Sequence, residues 1–212
     1  MKKVFKFMAI AAIAFGLTMN VACKGDEEEE GGGNGGNNTP VENPDNLPVT
    51  IDENFDGGLG AWTIIDADGD GSTWVSSADA MAEGYGHEGS TACALSKSYD
   101  NSIGALTPDN YLVSEKLWIK DGTTLTWYVA AQDANYPQEH YSVEIGKVEN
   151  NNWVKEATLF EETFSGSSKD QTGWYQRSVD MSQYKGKAYQ IAFRHHDCTD
   201  MFYLLIDDVK LQ

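Results

Sequence analysis

The chain has 212 residues, with 33 acidic and 15 basic side chains and a formal net charge of −18 at pH 7. A chain this acidic repels the phosphates of nucleic acids and the headgroups of anionic lipids, so neither is an expected partner. Acid-rich loops instead suit hard cations such as Ca²⁺.

The first 22 residues predict a signal peptide. Three lysines lie among the first six residues, and an apolar run over 7–21 follows and ends at Ala22, directly before Cys23. The run is too short for a membrane-spanning helix and has the flanks of a signal peptide. The segment before the cysteine resembles the bacterial lipobox, which implies that Cys23 is lipidated and anchors the chain. The alternative is an ordinary cleaved signal with an incidental cysteine.

Residues 23–47 predict a flexible, solvated tether. Four consecutive glutamates at 27–30 precede a run of glycine and asparagine at 31–38. Such a composition cannot bury a hydrophobic core. Acids directly after the lipidated cysteine resemble the surface-export signal of Bacteroidota lipoproteins, so the expected location is the outer membrane, lipid-anchored at the cell surface. A charged spacer facing the periplasm is the alternative.

Residues 48–212 are expected to form one all-β domain. Segments rich in β-branched and aromatic residues, separated by Gly, Asp, Asn and Ser, predict antiparallel strands of a sandwich or barrel. The final run, Tyr203 to Ile206, is continuously apolar, which is typical of a central buried strand. Strands are predicted at 62–65, 123–131, 141–145, 153–164, 174–179, 188–194 and 202–211.

A calcium-type loop is predicted at residues 66–71. Asp66, Asp68 and Asp70 alternate with small residues, so a tight loop can direct several oxygens at one Ca²⁺ ion. The pattern resembles the start of an EF-hand loop, but its twelfth position is Ser77 and no flanking helices are evident. A solvated turn rich in Asp and Gly is the alternative.

A second calcium site is predicted where the terminal strands meet. Glu53 lies at the start of the domain and Asp208 lies in its last strand, and the terminal strands of a closed sandwich often lie side by side. Asp109 is a weaker candidate ligand. The alternative is that these residues are unrelated surface acids.

A loop between two predicted strands carries the candidate ligand-binding residues. Asp133, Asn135, Tyr136, Glu139 and His140 combine carboxylates, an amide and rings, which suit hydrogen bonding to sugar hydroxyls and ring stacking. The alternative is a turn closed by Tyr136 and followed by a strand. Asp133 and Glu139 are also the one loop pair nominated for a polysaccharide-active enzyme.

The remaining cysteines and a histidine pair raise two further questions. Cys93 and Cys198 form either a disulfide, which an exported location allows, or two buried thiols. His195 and His196 fall on opposite faces of a strand and have no third ligand at zinc spacing, so a structural role is expected. The chain shows neither a Gly-x-Ser-x-Gly elbow nor an HExxH motif, so we do not expect an enzyme.

Five collinear segments resemble the cleaved-adhesin domains of Bacteroidota, which are the gingipain hemagglutinin/adhesin type also known as choice-of-anchor J. They cover nearly the whole domain in the family's order and spacing. They are residues 62–71, 108–113, 131–141, 174–175 and 192–209.

The resemblance implies a jelly-roll β-sandwich stabilised by structural calcium, with adhesion as its function. The expected protein is a surface-exposed lipoprotein that binds a host or environmental protein or glycan. Unlike the protease-linked members, this chain shows no protease domain and no repeated copies, which leaves the ligand open. The alternatives are a polysaccharide-active enzyme and a structural subunit of an outer-membrane surface complex.

Overall fold

The structure, a computed structural model, describes residues 41–80, 85–166 and 173–212. The predicted signal peptide, Cys23 and the acidic run at 27–30 lie outside these residues. Within the described ranges, no helix is both long enough and apolar enough to cross a membrane.

Nearly all regular structure in the described residues is β-strand. The two short helical segments are α1 (Ser77–Ala80) and a 3₁₀ turn (Ser182–Tyr184). The strands are β1 (Ile51–Glu53), β2 (Thr63–Asp66), β3 (Val75–Ser76), β4 (Ala94–Lys97), β5 (Tyr99–Asp100), β6 (Gly104–Ala105), β7 (Asn110–Val113), β8 (Leu117–Ile119), β9 (Thr124–Ala131), β10 (His140–Glu149), β11 (Asn152–Thr163), β12 (Tyr175–Asp180), β13 (Lys187–His195) and β14 (Tyr203–Leu211).

In the described part of the chain, these strands form two six-stranded antiparallel sheets and a small β5–β6 hairpin. The first sheet has the order β12-β9-β14-β4-β3, with β1 paired to β14. The second has the order β11-β10-β13-β7-β2, with β8 paired to β13. This confirms the predicted all-β jelly-roll sandwich. It also confirms the central position of the last strand, since β14 lies between β9 and β4.

The core lies between the two sheets and is centred on Trp127. Alternation along β9 turns Trp127 inward, where it is fully buried. Its indole N–H donates to the Tyr141 hydroxyl at 3.1 Å, and its ring contacts the rings of Phe160 and Phe193 at 5.3 and 5.8 Å. The three partners come from the second sheet, so this tryptophan joins the two layers.

A bulge in β14 interrupts the alternation of side chains. Ile206 and Val209 both belong to the core although they are three residues apart, and Asp208 between them has a φ of 46°. The pairing register with β9 shifts at the same point. As a result, the carboxylates of Asp207 and Asp208 both reach His87, in the segment that covers this part of the sheet.

The structure has no disulfide between Cys93 and Cys198, the pair that the sequence allowed, and both thiols are free. Cys93 packs with Leu95 in a small cluster on the outer face of the first sheet. Ser96 lies on the opposite, inner face, where it contacts His195, and Cys198 Sγ is 3.1 Å from the same imidazole. The two thiols therefore lie on opposite sides of one sheet.

Candidate functional site

An aromatic surface lies at the end of the sandwich where two loops meet. The β9–β10 loop supplies Tyr136, the β13–β14 loop supplies Phe202, and strands β5 and β14 supply Tyr99 and Tyr203. Phe202 is central: its ring lies 4.9 Å from Tyr99, 6.0 Å from Tyr136 and 6.0 Å from Tyr203, centroid to centroid. We refer to these four residues as the aromatic patch.

The aromatic patch is partly open to solvent and has polar neighbours. Tyr136 is 48% exposed. In the same loop, Asp133 accepts hydrogen bonds from the backbone and side-chain amides of Asn135 at 2.7 and 3.1 Å. Lys97 Nζ lies 5.7 Å from the centre of the Tyr203 ring. Rings beside carboxylate, amide and ammonium groups offer both stacking and hydrogen bonding to a ligand.

The backbone at Phe202 is held in an unusual conformation. Its φ of 103° is rare for a residue with a side chain. Its carbonyl accepts hydrogen bonds from the backbone N–H groups of Ser98 and Tyr99, at 2.8 and 3.3 Å. These bonds stabilise the conformation that places the Phe202 ring between two tyrosines.

Glu139 does not belong to this surface, which corrects the sequence-based prediction. It is fully buried, its Oε1 accepts a hydrogen bond from the Ser98 hydroxyl at 3.0 Å, and its Oε2 lies 2.9 Å from His195 Nε2. The reason is that it directly precedes β10 and points between the sheets. Glu139 therefore cannot meet a ligand in solvent, nor form a catalytic pair with Asp133 there.

A polar cleft of about 450 Å³ lies beside the β13–β14 loop. Arg194 on its wall makes two hydrogen bonds to the Asp109 carboxylate, at 2.7 and 3.0 Å, and lies over the Tyr111 ring at 5.1 Å. Asp109, the weaker candidate cation ligand, is thus an ion-pair partner of Arg194, and a metal-binding role for it stays a prediction. The lining residues are Thr107, Pro108, Asp109, Arg194, His196, Asp197, Cys198 and Thr199.

His196, which lines this cleft, forms a second polar group with His140. Their rings meet edge to face at 4.8 Å. His196 Nε2 lies 3.1 Å from the Ser142 hydroxyl, and its Nδ1 lies 2.8 Å from Asp197. Burial lowers the pKa of His196, although Asp197 opposes that shift. His196 faces away from the core while His195 faces into it, as strand alternation predicts.

The predicted calcium loop brings its three aspartates together. One carboxylate oxygen from each of Asp66, Asp68 and Asp70 lies within 4.8 Å of the others. Gly69 and Gly71 have φ values of 74° and 82°, which allow the chain to turn this sharply. Partial burial and the hydrogen bond to Asp66 raise the pKa of Asp68. The candidate ligand atoms are all oxygens, and the neighbouring carboxylates repel one another when charged. Both properties fit a Ca²⁺ site.

The terminal strands meet as predicted, but Glu53 and Asp208 have separate partners. Glu53 lies opposite Val209 in the β1–β14 pair and accepts a hydrogen bond from a backbone N–H of its own turn. Asp208 Oδ2 lies 2.7 Å from His87 Nδ1. Asp207 is the fully buried carboxylate, and desolvation raises its pKa to about 7. The shared Glu53–Asp208 ion stays a prediction.

Sequence reasoning missed most of the aromatic patch. Phe202 and Tyr203 are adjacent aromatic residues at the entrance to a buried strand. Alternation requires neighbouring side chains to point to opposite sides, so at least one of the two rings had to face away from the core. That signal identifies a candidate surface ring, but it does not reveal that Tyr136 and Tyr99 lie beside it.

Comparison with known proteins gives one family. The family model described as Cleaved Adhesin Domain matches residues 49–211. Hemagglutinin A of Porphyromonas gingivalis is 38% identical over 182 residues, which cover 80% of this chain and 7% of that protein. Lys-gingipain W83 of the same organism is 38% identical over 173 residues, covering 76% and 10%. The chain thus spans a tenth or less of the length of these two relatives.

Solved structures agree with this result. The K3 cleaved adhesin domain of Lys-gingipain from P. gingivalis W83 superimposes with a TM-score of 0.65 at 38% identity, covering 76% of this chain and 96% of that domain. The K1 domain of the same protein gives a TM-score of 0.64 at 38% identity, covering 77% and 98%.

Proposed function

Because the chain belongs to the cleaved adhesin domain family, we propose that it is a surface-exposed binding module whose ligand is an extracellular glycan. The observation that supports a glycan is the aromatic patch, with half-exposed Tyr136 at its edge. Sugar rings have apolar faces that stack on aromatic side chains, and their hydroxyls bind carboxylates and amides such as those of Asp133 and Asn135.

The charge of the chain narrows the glycan class. The formal net charge is −18, and Asp100 forms an ion pair at 2.7 Å with Lys97, the lysine beside the patch. A glycan rich in carboxylate or sulfate would meet a repulsive field and find that lysine already paired. The proposed ligand is therefore a neutral glycan.

Tyr136→Ala is expected to weaken glycan binding by about tenfold or more, because it removes the most exposed ring of the patch. A glycan array identifies the ligand, and calorimetric titration then compares wild type with the variant. Tyr175→Ala is the matched control, since Tyr175 is 44% exposed on β12 and outside the patch. Equal affinity in Tyr136→Ala would contradict the assignment. Binding to proteins alone would make the chain a protein adhesin.

The same ligand tests the proposed location. We propose that Cys23 carries the lipid anchor and that the acidic run directs the chain to the cell surface. Intact cells that express the chain are expected to bind the labelled glycan. Cells that express Cys23→Ala are expected to lose the cell-bound signal, and retention of that signal would argue against the anchor.

We also propose that Asp66, Asp68 and Asp70 hold a Ca²⁺ ion that stabilises the domain. Support comes from the convergence of their oxygens and from the raised pKa of Asp68. Bound Ca²⁺ would neutralise carboxylates that otherwise repel one another. The loop follows β2 and is hydrogen-bonded to the residue before β7, because Asp68 Oδ2 accepts a bond from the Asp109 backbone N–H at 3.0 Å. The proposed role of the ion is therefore structural, since it would hold these two segments together.

Calcium at about 100 times its dissociation constant is expected to stabilise the folded state by about 2.7 kcal/mol. For a domain of this size, that stabilisation raises the melting temperature by roughly 5–10 °C. Asp68→Asn is expected to remove most of the increase, whereas Asp180→Asn, at an exposed aspartate bonded to Ser182, keeps it. Identical melting of the metal-free wild type with and without added Ca²⁺ would rule the ion out.

A further inference from the structure

A second set of metal-ligand atoms converges inside the sandwich, in the Glu139–His195–Cys198 cluster. Glu139 Oε2 lies 2.9 Å from His195 Nε2, and Cys198 Sγ lies 3.1 Å from that nitrogen and 3.3 Å from that oxygen. Glu139 and His195 are fully buried, and Cys198 is half-buried. We propose that this cluster binds a Zn²⁺ ion, a site separate from the calcium loop and from the aromatic patch.

The spacing of the three atoms is close to that of zinc ligands. Bonds from Zn²⁺ to oxygen, nitrogen and sulfur are about 2.0–2.3 Å long, so tetrahedral ligand atoms lie roughly 3.3–3.7 Å apart. The observed separations of 2.9, 3.1 and 3.3 Å are a few tenths of an ångström shorter. Small side-chain rotations would admit the ion, because the three ligand atoms already lie within 3.3 Å of one another.

The other polar atoms of the buried ligands have partners that orient them. His195 Nδ1 lies 2.8 Å from the Ser96 hydroxyl, and Glu139 Oε1 accepts the Ser98 hydroxyl at 3.0 Å. With Nδ1 and Oε1 engaged in this way, Nε2 and Oε2 are the atoms that remain to face the ion. Hydrogen bonds of this kind to the ligands are typical of zinc sites, where they fix the imidazole orientation.

Charge balance favours a divalent cation in the cluster. A carboxylate buried without a countercharge is costly, and the ion-pair partner that the described residues give Glu139 is His195, which supplies a positive charge only when it is protonated. On binding Zn²⁺, the Cys198 thiol, which donates to Glu139 Oε2 at 3.3 Å, would release its proton to solvent. The ion bound by one carboxylate, one thiolate and one neutral imidazole then gives a site with no net charge. The mixture of sulfur, nitrogen and oxygen ligands selects zinc over Ca²⁺ or Mg²⁺, which prefer oxygen alone.

The polar cleft would give water a route to a fourth ligand position. Cys198 lines that cleft of about 450 Å³, so water can complete a tetrahedral site from this side. Three protein ligands with one open position is an arrangement that zinc adopts in many proteins. Glu139 lies 56 residues before His195, so no short spacing in the sequence reveals it as a ligand.

Cobalt titration tests the proposal without reference to any ligand of the adhesin. Reduced, metal-free protein is titrated with Co²⁺ in excess Ca²⁺, which occupies oxygen-only sites. We expect one equivalent of Co²⁺ to produce the visible bands of tetrahedral cobalt and a near-ultraviolet thiolate-to-cobalt band, with displacement by Zn²⁺. Folded protein that shows no thiolate band would overturn the proposal and leave the cluster a hydrogen-bonded trio.

The two cysteines of the described residues, Cys93 and Cys198, supply a matched control. Cys198→Ser is expected to abolish the thiolate band, whereas Cys93→Ser, at the buried thiol on the other side of the sheet, keeps it. Loss of the band in Cys93→Ser alone would place the cobalt elsewhere and overturn the assignment. If Cys198→Ser does not fold, Ser96→Ala decides, because loss of this orienting hydroxyl should weaken binding about 10–100-fold. Unchanged affinity in Ser96→Ala would then count against the site.

Discussion

Replacing Trp127 with alanine is expected to lower the free energy of unfolding by about 3–5 kcal/mol, which is much of the stability of a typical domain. Trp127 is fully buried and contacts Phe160 and Phe193 across the interface between the two sheets. Side chains from two sheets surround the vacated space, and their hydrogen-bonded backbones limit how far they can close it. The cavity therefore stays partly open, and the lost contacts are not replaced.

Chemical denaturation at neutral pH measures the effect, and two variants separate its causes. Trp127→Phe keeps a ring in place and loses the indole N–H bond to Tyr141, so we expect a loss of about 1–2 kcal/mol. The Tyr141 hydroxyl still donates to Glu162 at 2.8 Å and is not left unpaired. Ile103→Ala, at a 65% exposed position, is expected to change stability by about 0.5 kcal/mol or less. A loss below about 1 kcal/mol in Trp127→Ala would mean that Trp127 does not join the layers.

The second large effect is the contribution of Asp207 to the stability of metal-free protein, which declines as the pH rises from about 4 to about 7. Desolvation raises the pKa of its carboxyl from 3.8 to about 7 in the folded state. Between these values the folded chain holds a proton that the unfolded chain has released, so raising the pH favours unfolding. The contribution of Asp207 is fully present below pH 4 and is lost once the pH passes 7.

The magnitude follows from the size of the shift. Each pKa unit corresponds to about 1.4 kcal/mol, so a fully buried Asp207 accounts for a few kcal/mol across this interval. Asp207→Asn has no charge to lose and should flatten the decline. At every pH the variant also loses one of the two hydrogen bonds that the Asp207 carboxylate accepts from the backbone N–H groups of His87 and Asp208.

Denaturation curves at several pH values, recorded with a chelator, compare the slopes of wild type and variant. Asp180→Asn provides a control of opposite sign, because the Ser182 hydroxyl and N–H lower the pKa of Asp180. Asp180 therefore contributes stability above the unfolded pKa that is lost as the pH falls. An unchanged slope in Asp207→Asn would show that the Asp207 carboxyl titrates near its ordinary value.

The sequence was sufficient for seven of the fourteen described strands, β2 and β9 to β14, because the pattern that predicts them is local. Along β9, alternating residues are apolar, and a strand with one buried face requires this period of two. The continuous apolar run in β14 correctly predicted a central strand. The other seven strands of the described residues, β1 and β3 to β8, were missed, because two to four residues are too few to show a clear period. Apart from the β5–β6 hairpin, they also pair with strands distant in the chain.

For the candidate sites, the separation of the residues along the chain decided whether their proximity could be predicted from the sequence. Asp66, Asp68 and Asp70 lie within five residues, so the loop that brings their oxygens together is local and was predictable. His195 and Cys198 are also neighbours, and alternation correctly placed the two adjacent histidines on opposite faces.

What only the tertiary structure decided is which distant side chain completes a group. The β10–β13 register sets Tyr141 opposite His195, and with Tyr141 buried in the core, the preceding Glu139 is carried between the sheets beside the imidazole. In the sequence, Glu139 looks like one more polar residue of a surface loop. Its position depends on strand pairing fixed by the burial of many side chains at once, and no local pattern records that pairing.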